Sequence, residues 1–269
     1  MNDVQITTSQ TPENQELPRR DFIKKALCTI AALLVPRTLV ASKEMEEAPV
    51  WVLANGYKPG EHYWGMGIDT SKCIGCGRCV EACKTENNVP RESAYFRTWV
   101  ERYRITAEGE TVVDSPDGAI NGFTDDGEVP NPLRTFFVPK LCNHCDNPPC
   151  VQVCPVGATY KSPDGVVLVD SSYCIGCRYC IQACPYGARF LHPETKTAEK
   201  CTFCYHRITQ GLLPACVEAC PTQARVFGEV RKKPSPLQRF LRMNRIGILK
   251  PYLNTEPKVF YANLDGEVN

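Results

Sequence analysis

Short apolar segments separated by glycine, proline and polar residues recur along the chain, and this pattern favours short strands and helices. Three segments are rich in β-branched or aromatic side chains, which is typical of strands: residues 66–69, 135–138 and 166–170. The sequence Tyr-Lys-Ser-Pro-Asp-Gly at 160–165 predicts a hairpin turn between two such strands. A second turn is predicted at 192–194, directly after a short strand at 189–191.

Sixteen of the 17 cysteines fall into four compact motifs. Motif one is Cys73-x2-Cys76-x2-Cys79-x3-Cys83, and motif three repeats it as Cys174-x2-Cys177-x2-Cys180-x3-Cys184. Motif two is Cys142-x2-Cys145-x4-Cys150-x3-Cys154, and motif four is Cys201-x2-Cys204-x11-Cys216-x3-Cys220. Proline follows the last cysteine in motifs two, three and four, whereas Lys84 stands at that place in motif one. This is the cysteine run of bacterial ferredoxins, in which the fourth cysteine ligates the other cluster of a pair.

The spacing has a physical reason. Three thiolates in one tight turn reach three irons of a cube, and Gly75 and Gly176 let the backbone come close without a Cβ. The x3 step begins a helix, which turns the fourth thiolate toward a neighbouring cube. Zinc would use two Cys-x2-Cys pairs for each site, and disulfides do not require this rhythm. Because every motif has four cysteines, the sequence predicts four [4Fe–4S] clusters and no three-iron cluster.

The elements around the motifs predict the fold class. Short helices are expected near the third cysteine of each motif, at Cys79, Cys150, Cys180 and Cys216. Strand, helix, strand, strand, helix, strand is a ferredoxin-like unit. Four motifs therefore predict a cysteine-rich α+β protein with two such units, a duplicated βαββαβ arrangement.

Spacing alone does not decide which motifs pair. Motifs two and three lie close together, so we expect one unit at 135–195 and a second formed by 63–100 and 196–230. The acidic segment 101–134 is predicted to be an insertion. The basic, proline-containing segment 231–269 either wraps a partner or extends over the chain's own surface, and we predict a partner-binding tail.

Charge and hydropathy limit the functional classes. A formal charge of +1 gives no electrostatic reason to expect nucleic acid as a partner. Four clusters with four thiolates each would add about two negative charges apiece. The longest apolar run, at 26–35, has ten residues, whereas a spanning helix needs roughly 20. We therefore expect no membrane span in this chain and a membrane association through a partner.

The N-terminus predicts an export signal at residues 1–41. Arg19 and Arg20 are followed by Phe22, two lysines and the short apolar stretch, and a small-residue site ends at Ala41. Twin-arginine export carries folded proteins, so clusters can be assembled in the cytoplasm before the chain reaches the oxidising periplasm. Cys28 lies inside this signal, where we interpret it as a small apolar residue.

From residue 63 to residue 261 the sequence resembles the four-cluster iron–sulfur subunits of molybdopterin oxidoreductases, such as tetrathionate, polysulfide and dimethyl sulfoxide reductases. The resemblance rests on LCNHCDNPPCVQVCPVGATY, YCIGCRYCIQACPYGARF and KCTFCYHRITQGLLPACVEACPTQARVFGEV. It implies that motif one pairs with motif four and motif two with motif three. The implied ligand sets are, in order, Cys73, Cys76, Cys79 and Cys220; Cys83, Cys201, Cys204 and Cys216; Cys142, Cys145, Cys150 and Cys184; and Cys154, Cys174, Cys177 and Cys180.

The resemblance also implies a relay between two partners. A molybdopterin catalytic subunit would lie at the first cluster, and a quinone-linked, polysulfide-reductase-type membrane subunit at the last. Two alternatives remain open: a quinone-linked respiratory complex with a multihaem cytochrome c, and a free periplasmic polyferredoxin. We find no nucleophile with a general base and no phosphate-binding loop, so catalysis by this chain alone is not expected.

Several residues beside the ligands have two readings. We expect His144, inside motif two, to form a hydrogen bond near a cluster rather than to ligate iron. Lys200, Arg189 and Arg225 either offset the negative charge of the clusters or are ordinary surface residues. Aromatic side chains flank the ligands and are expected to exclude water: Tyr173, Tyr179, Tyr186, Phe203 and Tyr205.

Overall fold

A computed structural model describes residues 56–92, 94–124, 129 and 131–268 of the chain. The predicted export signal at 1–41, with Cys28, lies outside the described residues. All sixteen motif cysteines lie inside them.

Short elements alternate along the described residues. The strands are β1 (Trp64–Asp69), β2 (Thr98–Ile105), β3 (Thr111–Asp114), β4 (Arg134–Leu141), β5 (Thr159–Lys161), β6 (Val167–Val169), β7 (Arg189–Leu191), β8 (Ala198–Lys200), β9 (Arg225–Glu229), β10 (Ile246–Gly247) and β11 (Val259–Ala262). The helices are α1 (Arg78–Glu86), α2 (Pro149–Gln152), α3 (Tyr179–Gln182), α4 (Tyr205–Ile208), α5 (Ala215–Glu218) and α6 (Pro236–Met243). The protein is therefore of mixed strand and helix composition, as predicted.

A four-stranded sheet in the order β10-β11-β1-β9 joins the two ends of the described chain. β1, which precedes motif one, runs antiparallel to β9, which follows motif four. Its other neighbour is β11, in a parallel pair. Met66, Ile68 and Tyr261 are completely buried in this sheet, and α6 covers one side with Leu237 and Phe240. The strand that leads into motif one is thus fixed from both sides.

The C-terminal segment is part of this sheet. The sequence predicted a partner-binding tail at 231–269, because basic residues and prolines dominate its first half. Val259–Ala262 instead lies between β10 and β1, where Val259 and Tyr261 are fully buried. At least this stretch binds the chain's own core, and partner binding by the remainder stays a prediction.

A three-stranded antiparallel sheet in the order β3-β2-β4 occupies much of the predicted insertion at 101–134. Its acidic, glycine- and aspartate-rich composition was the basis for predicting an insertion, and that remains a prediction. In the structure, Arg102 on β2 donates two hydrogen bonds of 2.8 and 2.9 Å to Asp114 on β3. The aspartate therefore stabilises the pairing of the two strands within this segment.

Two hairpins carry the motifs in the middle of the chain. β5 pairs antiparallel with β6 across the turn predicted at 160–165, and β7 pairs antiparallel with β8 across the turn after residue 191. Helices begin near the third cysteine of each motif, as predicted. α1 packs against α5, and α2 packs against α3. Motif one therefore lies beside motif four, and motif two beside motif three.

Candidate metal centres

The first group of cysteines forms where α1 meets α5. Cys73, Cys76, Cys79 and Cys220 together line one cavity. Burial raises the pKa of Cys73 to about 11, and the neighbouring Cys79 and Cys220 contribute to the rise. Sulfurs that oppose one another's ionisation lie close together, and a cation such as iron relieves this repulsion. We call this set quartet one.

Quartet two is the most enclosed. Its members Cys83, Cys201, Cys204 and Cys216 are all buried. Burial is the main reason that the pKa of Cys83 lies well above its usual value. The neighbouring thiols of Cys201, Cys216 and Cys204 add to the increase. The side-chain nitrogen of Asn87 lies 3.6 Å from the sulfurs of both Cys83 and Cys204. One hydrogen-bond donor therefore joins motif one to motif four.

Quartet three combines motif two with the last cysteine of motif three. Its members are Cys142, Cys145, Cys150 and Cys184. The pKa of Cys145 is raised to about 12, mainly by burial and in part by the other three thiols. The first three cysteines are only 8 % exposed, so water reaches this quartet poorly.

The fourth set, Cys154, Cys174, Cys177 and Cys180, lies where α2 packs against α3. Cys180 and Cys174 belong to one small apolar cluster with Cys150 and Val167. Burial opposes the ionisation of Cys154, but hydrogen bonds from backbone N–H groups outweigh it and lower its pKa. We call this set quartet four. Helix packing brings its two motifs side by side.

Backbone N–H groups point at several of the cysteine sulfurs. Within this part of the chain, N–H···S distances of 3.3 to 3.4 Å join Thr159 to Cys154, Ala198 to Cys174, Phe203 to Cys201 and Ala224 to Cys220. Such donors stabilise negative charge on a sulfur and raise the potential of a bound cluster.

Gly75 and Gly176, in the repeated Cys-Ile-Gly-Cys turns, were predicted to let the backbone come close to a cluster. The structure shows a further reason for glycine at both positions. Gly75 has φ +67° and Gly176 has φ +69°, values that side-chain-bearing residues rarely adopt. A Cβ on Gly75 would lie 2.5 Å from the ring of Phe137, and one on Gly176 would collide with the carbonyl of Lys196. Glycine is therefore required by the turn and by neighbouring protein atoms.

Lys84 stands where the other motifs have proline because motif one continues its helix. α1 runs to Glu86, whereas α2, α3 and α5 have four residues and end before the Cys-Pro pair. A proline at 84 would fall inside a helix. Lys84 is buried, lies 4.2 Å from the centre of the Phe96 ring and donates to two backbone carbonyls at 2.8 and 3.1 Å.

The three cations noted in the sequence are buried. Arg225, Arg189 and Lys200 are 3 %, 5 % and 1 % exposed, which excludes the reading as surface residues. Arg225 donates to the sulfur of Cys79 at 3.4 Å, and Arg189 donates to that of Cys150 at 3.1 Å. Lys200 donates to the carbonyl of Cys201 at 2.6 Å.

His144 is also completely buried. Its Nδ1 accepts a hydrogen bond of 3.1 Å from the backbone N–H of Val167, and its ring stacks on Phe203 with centroids 3.7 Å apart. Burial, with Lys200 and Lys258 adding to it, holds the pKa of His144 well below its usual value. The imidazole is therefore neutral, with its proton on Nε2.

Several buried polar atoms beside the quartets test whether clusters fit. Within the described residues, these atoms have no hydrogen-bond partner: Nη1 of Arg225, Nε of Arg189, Nε2 of His144 and the side-chain amide of Asn143. An unpaired buried donor is costly, and the sulfurs of a bound cluster would accept its hydrogen bond. Thiolate is also the ligand that these clusters require. The donor set and its surroundings fit [4Fe–4S] clusters.

The aromatic residues divide into two groups. Phe203 is buried, and Tyr186 and Tyr205 are half-buried, so these three exclude water as expected. Tyr173 and Tyr179, beside quartet four, are 68 % and 59 % exposed in this chain. The prediction that they exclude water is wrong for the chain by itself.

The sequence did not identify Asn87, Thr98 or Thr159 as parts of the site. Thr98 accepts a hydrogen bond of 2.8 Å from Arg225, and Thr159 accepts one of 3.3 Å from Arg189. Thr159 occupies the fifth position after Cys154, as Arg189 does after Cys184 and Arg225 after Cys220. Aligning the Cys-Pro segments would therefore have found Thr159. Nothing in the sequence marks Asn87, which follows the end of α1.

Two of the motif cysteines are exposed, one in quartet one and one in quartet four. Among the described residues, Cys76 of quartet one and Cys177 of quartet four are exposed. Beside them, Ile74 and Ile175 are 59 % and 66 % exposed at equivalent places in the two turns. Across the described ranges, none of the helices combines the length and apolar character needed to span a bilayer.

The cysteine-rich region matches two known domain families. A family described as "4Fe-4S dicluster domain" matches residues 133–230, and a second one with the same description matches residues 72–158. Two dicluster domains and sixteen suitably placed cysteines account for four clusters. The chain is an iron–sulfur protein of the electron-transfer class and carries four [4Fe–4S] clusters.

Curated relatives cover most of the chain. The B subunit of tetrathionate reductase from Salmonella typhimurium is 42 % identical over 258 residues, which are 95 % of this chain and 92 % of the relative. The corresponding B subunit from Archaeoglobus fulgidus is 50 % identical over 216 residues, or 80 % and 87 % of the two chains. The Hdr-like menaquinol oxidoreductase iron-sulfur subunit 1 of A. fulgidus is 34 % identical over 93 % of this chain and 100 % of its own. The chain belongs to the four-cluster iron–sulfur subunits of the molybdopterin oxidoreductase family.

Proposed function

We propose that quartets one to four are the ligand sets of the four clusters and form a relay in that order. Each cluster, when bound, accepts and releases one electron. The chain's own residues hold the irons, donate hydrogen bonds to the sulfurs and keep water from the two inner quartets. Support comes from the shared cavity of quartet one, the Asn87 contacts of quartet two, and the packing of α1 on α5 and of α2 on α3.

The same packing supports two ferredoxin-like units. Motifs two and three with their hairpin would form one unit, and motifs one and four, which flank it in sequence, would form the other. The antiparallel pairing of β1 with β9 joins the outer strands of that second unit. In a ferredoxin-like unit the fourth cysteine of each motif serves the partner cluster, which is the pattern of the proposed quartets.

The observation that carries the relay is the placement of the exposed ligands. Cys76 and Cys177 are exposed and belong to the two outer quartets, whereas quartet two is entirely buried. Electrons would enter at one outer quartet and leave at the other. We propose that quartet one contacts a molybdopterin catalytic subunit and quartet four a quinone-linked membrane subunit. The names of the tetrathionate reductase and menaquinol oxidoreductase relatives support such partners. The chain itself would not catalyse a reaction.

Affinity purification from membranes tests these partners. A tagged chain is extracted in mild detergent under anaerobic conditions, and the chains that co-elute are identified by mass spectrometry. Co-elution of a molybdopterin protein with an integral membrane subunit is expected. A multihaem cytochrome in place of the molybdopterin protein, or a chain that elutes alone, would contradict the proposal.

Iron analysis tests the ligand sets separately. Four four-iron clusters require about sixteen irons and as much acid-labile sulfide per chain. Replacing one member of a quartet, as in Cys204→Ser, should change the electron paramagnetic resonance signal of one cluster only. A change in two signals would show that the sets are divided differently.

We also propose that the chain reaches the periplasm in folded form by twin-arginine export. Its support is the sequence around Arg19 and Arg20. Cell fractionation of a variant with Arg19→Lys and Arg20→Lys is the test, with Lys24→Arg as a control that keeps the pair. The double variant should accumulate in the cytoplasm with its clusters. Its appearance in the periplasm at the normal level would overturn the proposal.

A further inference from the structure

Each of the three buried cations lies between two quartets. Nη2 of Arg225 donates both to the sulfur of Cys79 in quartet one, at 3.4 Å, and to the hydroxyl of Thr98, at 2.8 Å. Arg225 also begins β9, which packs against α5, the helix that carries Cys216 of quartet two. Its guanidinium therefore lies beside both quartets one and two.

Lys200 occupies the corresponding place between quartets two and three. Its ammonium donates to the carbonyls of Cys201 and Val167. Cys201 is a member of quartet two. Val167 packs in one apolar cluster with Cys150 of quartet three, so the Lys200 ammonium lies between quartets two and three.

Arg189 lies between quartets three and four. It donates to the sulfur of Cys150 at 3.1 Å and to the hydroxyl of Thr159 at 3.3 Å. The backbone N–H of Thr159 in turn donates to the sulfur of Cys154, so Arg189 contacts quartet three directly and quartet four through Thr159. Every step of the proposed relay therefore contains one buried cation.

These cations have no carboxylate partner to account for their burial. Within the part of the chain that the structure describes, no aspartate or glutamate forms an ion pair with Arg225, Lys200 or Arg189. A buried charge without a counter-charge is strongly unfavourable. The thiolates and clusters on either side are the available counter-charges, so the cations belong to the relay and not to an ion-pair network of the protein scaffold.

The two arginines arise from one repeated sequence. Cys184-Pro-Tyr-Gly-Ala-Arg189 and Cys220-Pro-Thr-Gln-Ala-Arg225 place an arginine five residues after a ligand cysteine, and each binds one threonine and one sulfur. Lys200 belongs to neither repeat. It directly precedes Cys201 at the end of β8, where the two ferredoxin-like halves join in sequence.

We propose that Arg225, Lys200 and Arg189 each raise the potentials of both clusters beside them and lower the repulsion between neighbouring reduced clusters. The inference deepens the proposed relay and rests on the quartets assigned above. An oxidised cluster with four thiolates carries about two negative charges, and reduction adds a third. Two such neighbours repel each other, which opposes an electron on both at once. A shared cation offsets this repulsion for the pair, whereas a hydrogen bond acts on one cluster.

Redox titration of the anaerobically purified holoprotein, followed by electron paramagnetic resonance, tests the proposal. Signals are assigned to clusters from the ligand variants Cys76→Ser, Cys204→Ser, Cys145→Ser and Cys177→Ser. Arg225→Gln should lower the potentials of clusters one and two, Lys200→Gln those of clusters two and three, and Arg189→Gln those of clusters three and four. In each case the one-electron equilibrium should shift tenfold or more, which is about 59 mV. The remaining two potentials should stay unchanged.

Two controls separate charge from other effects. Arg239→Gln makes the same charge change on the exposed side of α6 and should move no potential. Arg225→Lys, Lys200→Arg and Arg189→Lys keep the charge but change the hydrogen bonds, so paired shifts should be absent.

The proposal would be overturned if a glutamine variant keeps its full iron content but its cluster potentials do not change, or only one of them changes. The quartets would be unaffected by that result. An iron content well below about sixteen per wild-type chain would instead contradict the quartets themselves. If a glutamine variant loses iron, the charge-keeping variants decide, because a paired shift in them would exclude charge as the cause.

Discussion

Val259 lies directly opposite Met66 in the parallel pair of β11 and β1, so the C-terminal segment supports the strand that leads into motif one. Two residues further along, Tyr261 is completely buried, and its hydroxyl donates to the carbonyl of Pro139 at 3.0 Å. Pro139 is on β4, directly before motif two. The end of the chain thus contacts the strands that introduce two different motifs.

Tyr261→Ala is therefore expected to destabilise the protein by about 3 to 5 kcal/mol, the usual cost of truncating a large buried aromatic residue. Tyr261→Phe, which keeps the ring and removes one hydrogen bond, should cost only about 1 kcal/mol. Denaturant unfolding of the anaerobic holoprotein, followed by cluster absorbance and by circular dichroism, measures both. Equal stability of the alanine variant and the wild type would mean that β11 leaves the sheet in solution.

Lys84 gives a second stability prediction. Lys84→Met should destabilise the protein by about 1 kcal/mol, because the backbone carbonyls of Pro90 and Glu92 lose their donor. Lys84→Pro, which restores the Cys-Pro pair of the other motifs, should cost about 3 kcal/mol more because proline then lies inside α1. Thr85→Ala on the exposed side of the same helix is the control. A proline variant as stable as the methionine variant would mean that α1 ends before residue 84.

The pattern of cysteines carried most of the information about the site. The x2-x2-x3 rhythm identified the ligands and the short helices, since both follow from local geometry around one turn. Lys84 could not be explained locally, because its reason is the length of α1. Thr98 is another example: it reaches Arg225 only because β2 lies beside motif four in the fold.

Strands that pair across long stretches of chain were the weakest part of the sequence-based prediction. β11 was assigned to a tail because a four-residue strand gives little periodicity, and its partner β1 lies at the other end of the described chain. The segment 101–134, predicted to be an insertion from its acidic, glycine- and aspartate-rich composition, contains β3 and most of β2, which that composition did not indicate. The hydrogen bonds between Arg102 and Asp114 that join these strands depend on tertiary pairing.

Asn87 should tune one cluster. Its side-chain N–H group lies 3.6 Å from Cys83 and Cys204, so Asn87→Ala removes a donor from quartet two and should lower the potential of cluster two. Asn87→Asp has the same shape but adds a negative charge, and it should lower that potential further. Redox titrations are compared with Thr85→Ala, which should have no effect. An unchanged or higher potential in the alanine variant would exclude this role.

Variants of the exposed ligands Cys177 and Cys76 should interrupt electron transfer at opposite ends of the relay. Cys177→Ala damages quartet four, so quinol-driven turnover of the assembled complex should be lost, whereas dye-driven turnover at the catalytic subunit should survive. Cys76→Ala damages quartet one and should also abolish quinol-driven turnover, but reduction of clusters two to four by quinol should persist when followed spectroscopically. Ser171→Ala, an exposed change near quartet four, is the control and should leave both assays unchanged. Co-purification of all subunits must be verified for each variant, since loss of assembly would abolish both assays together.

Two results would contradict this assignment of the ends. Quinol-driven turnover at the wild-type rate in Cys177→Ala would place the membrane-side end of the relay elsewhere. Reduction of the remaining clusters by quinol in Cys177→Ala but not in Cys76→Ala would reverse the direction of the relay.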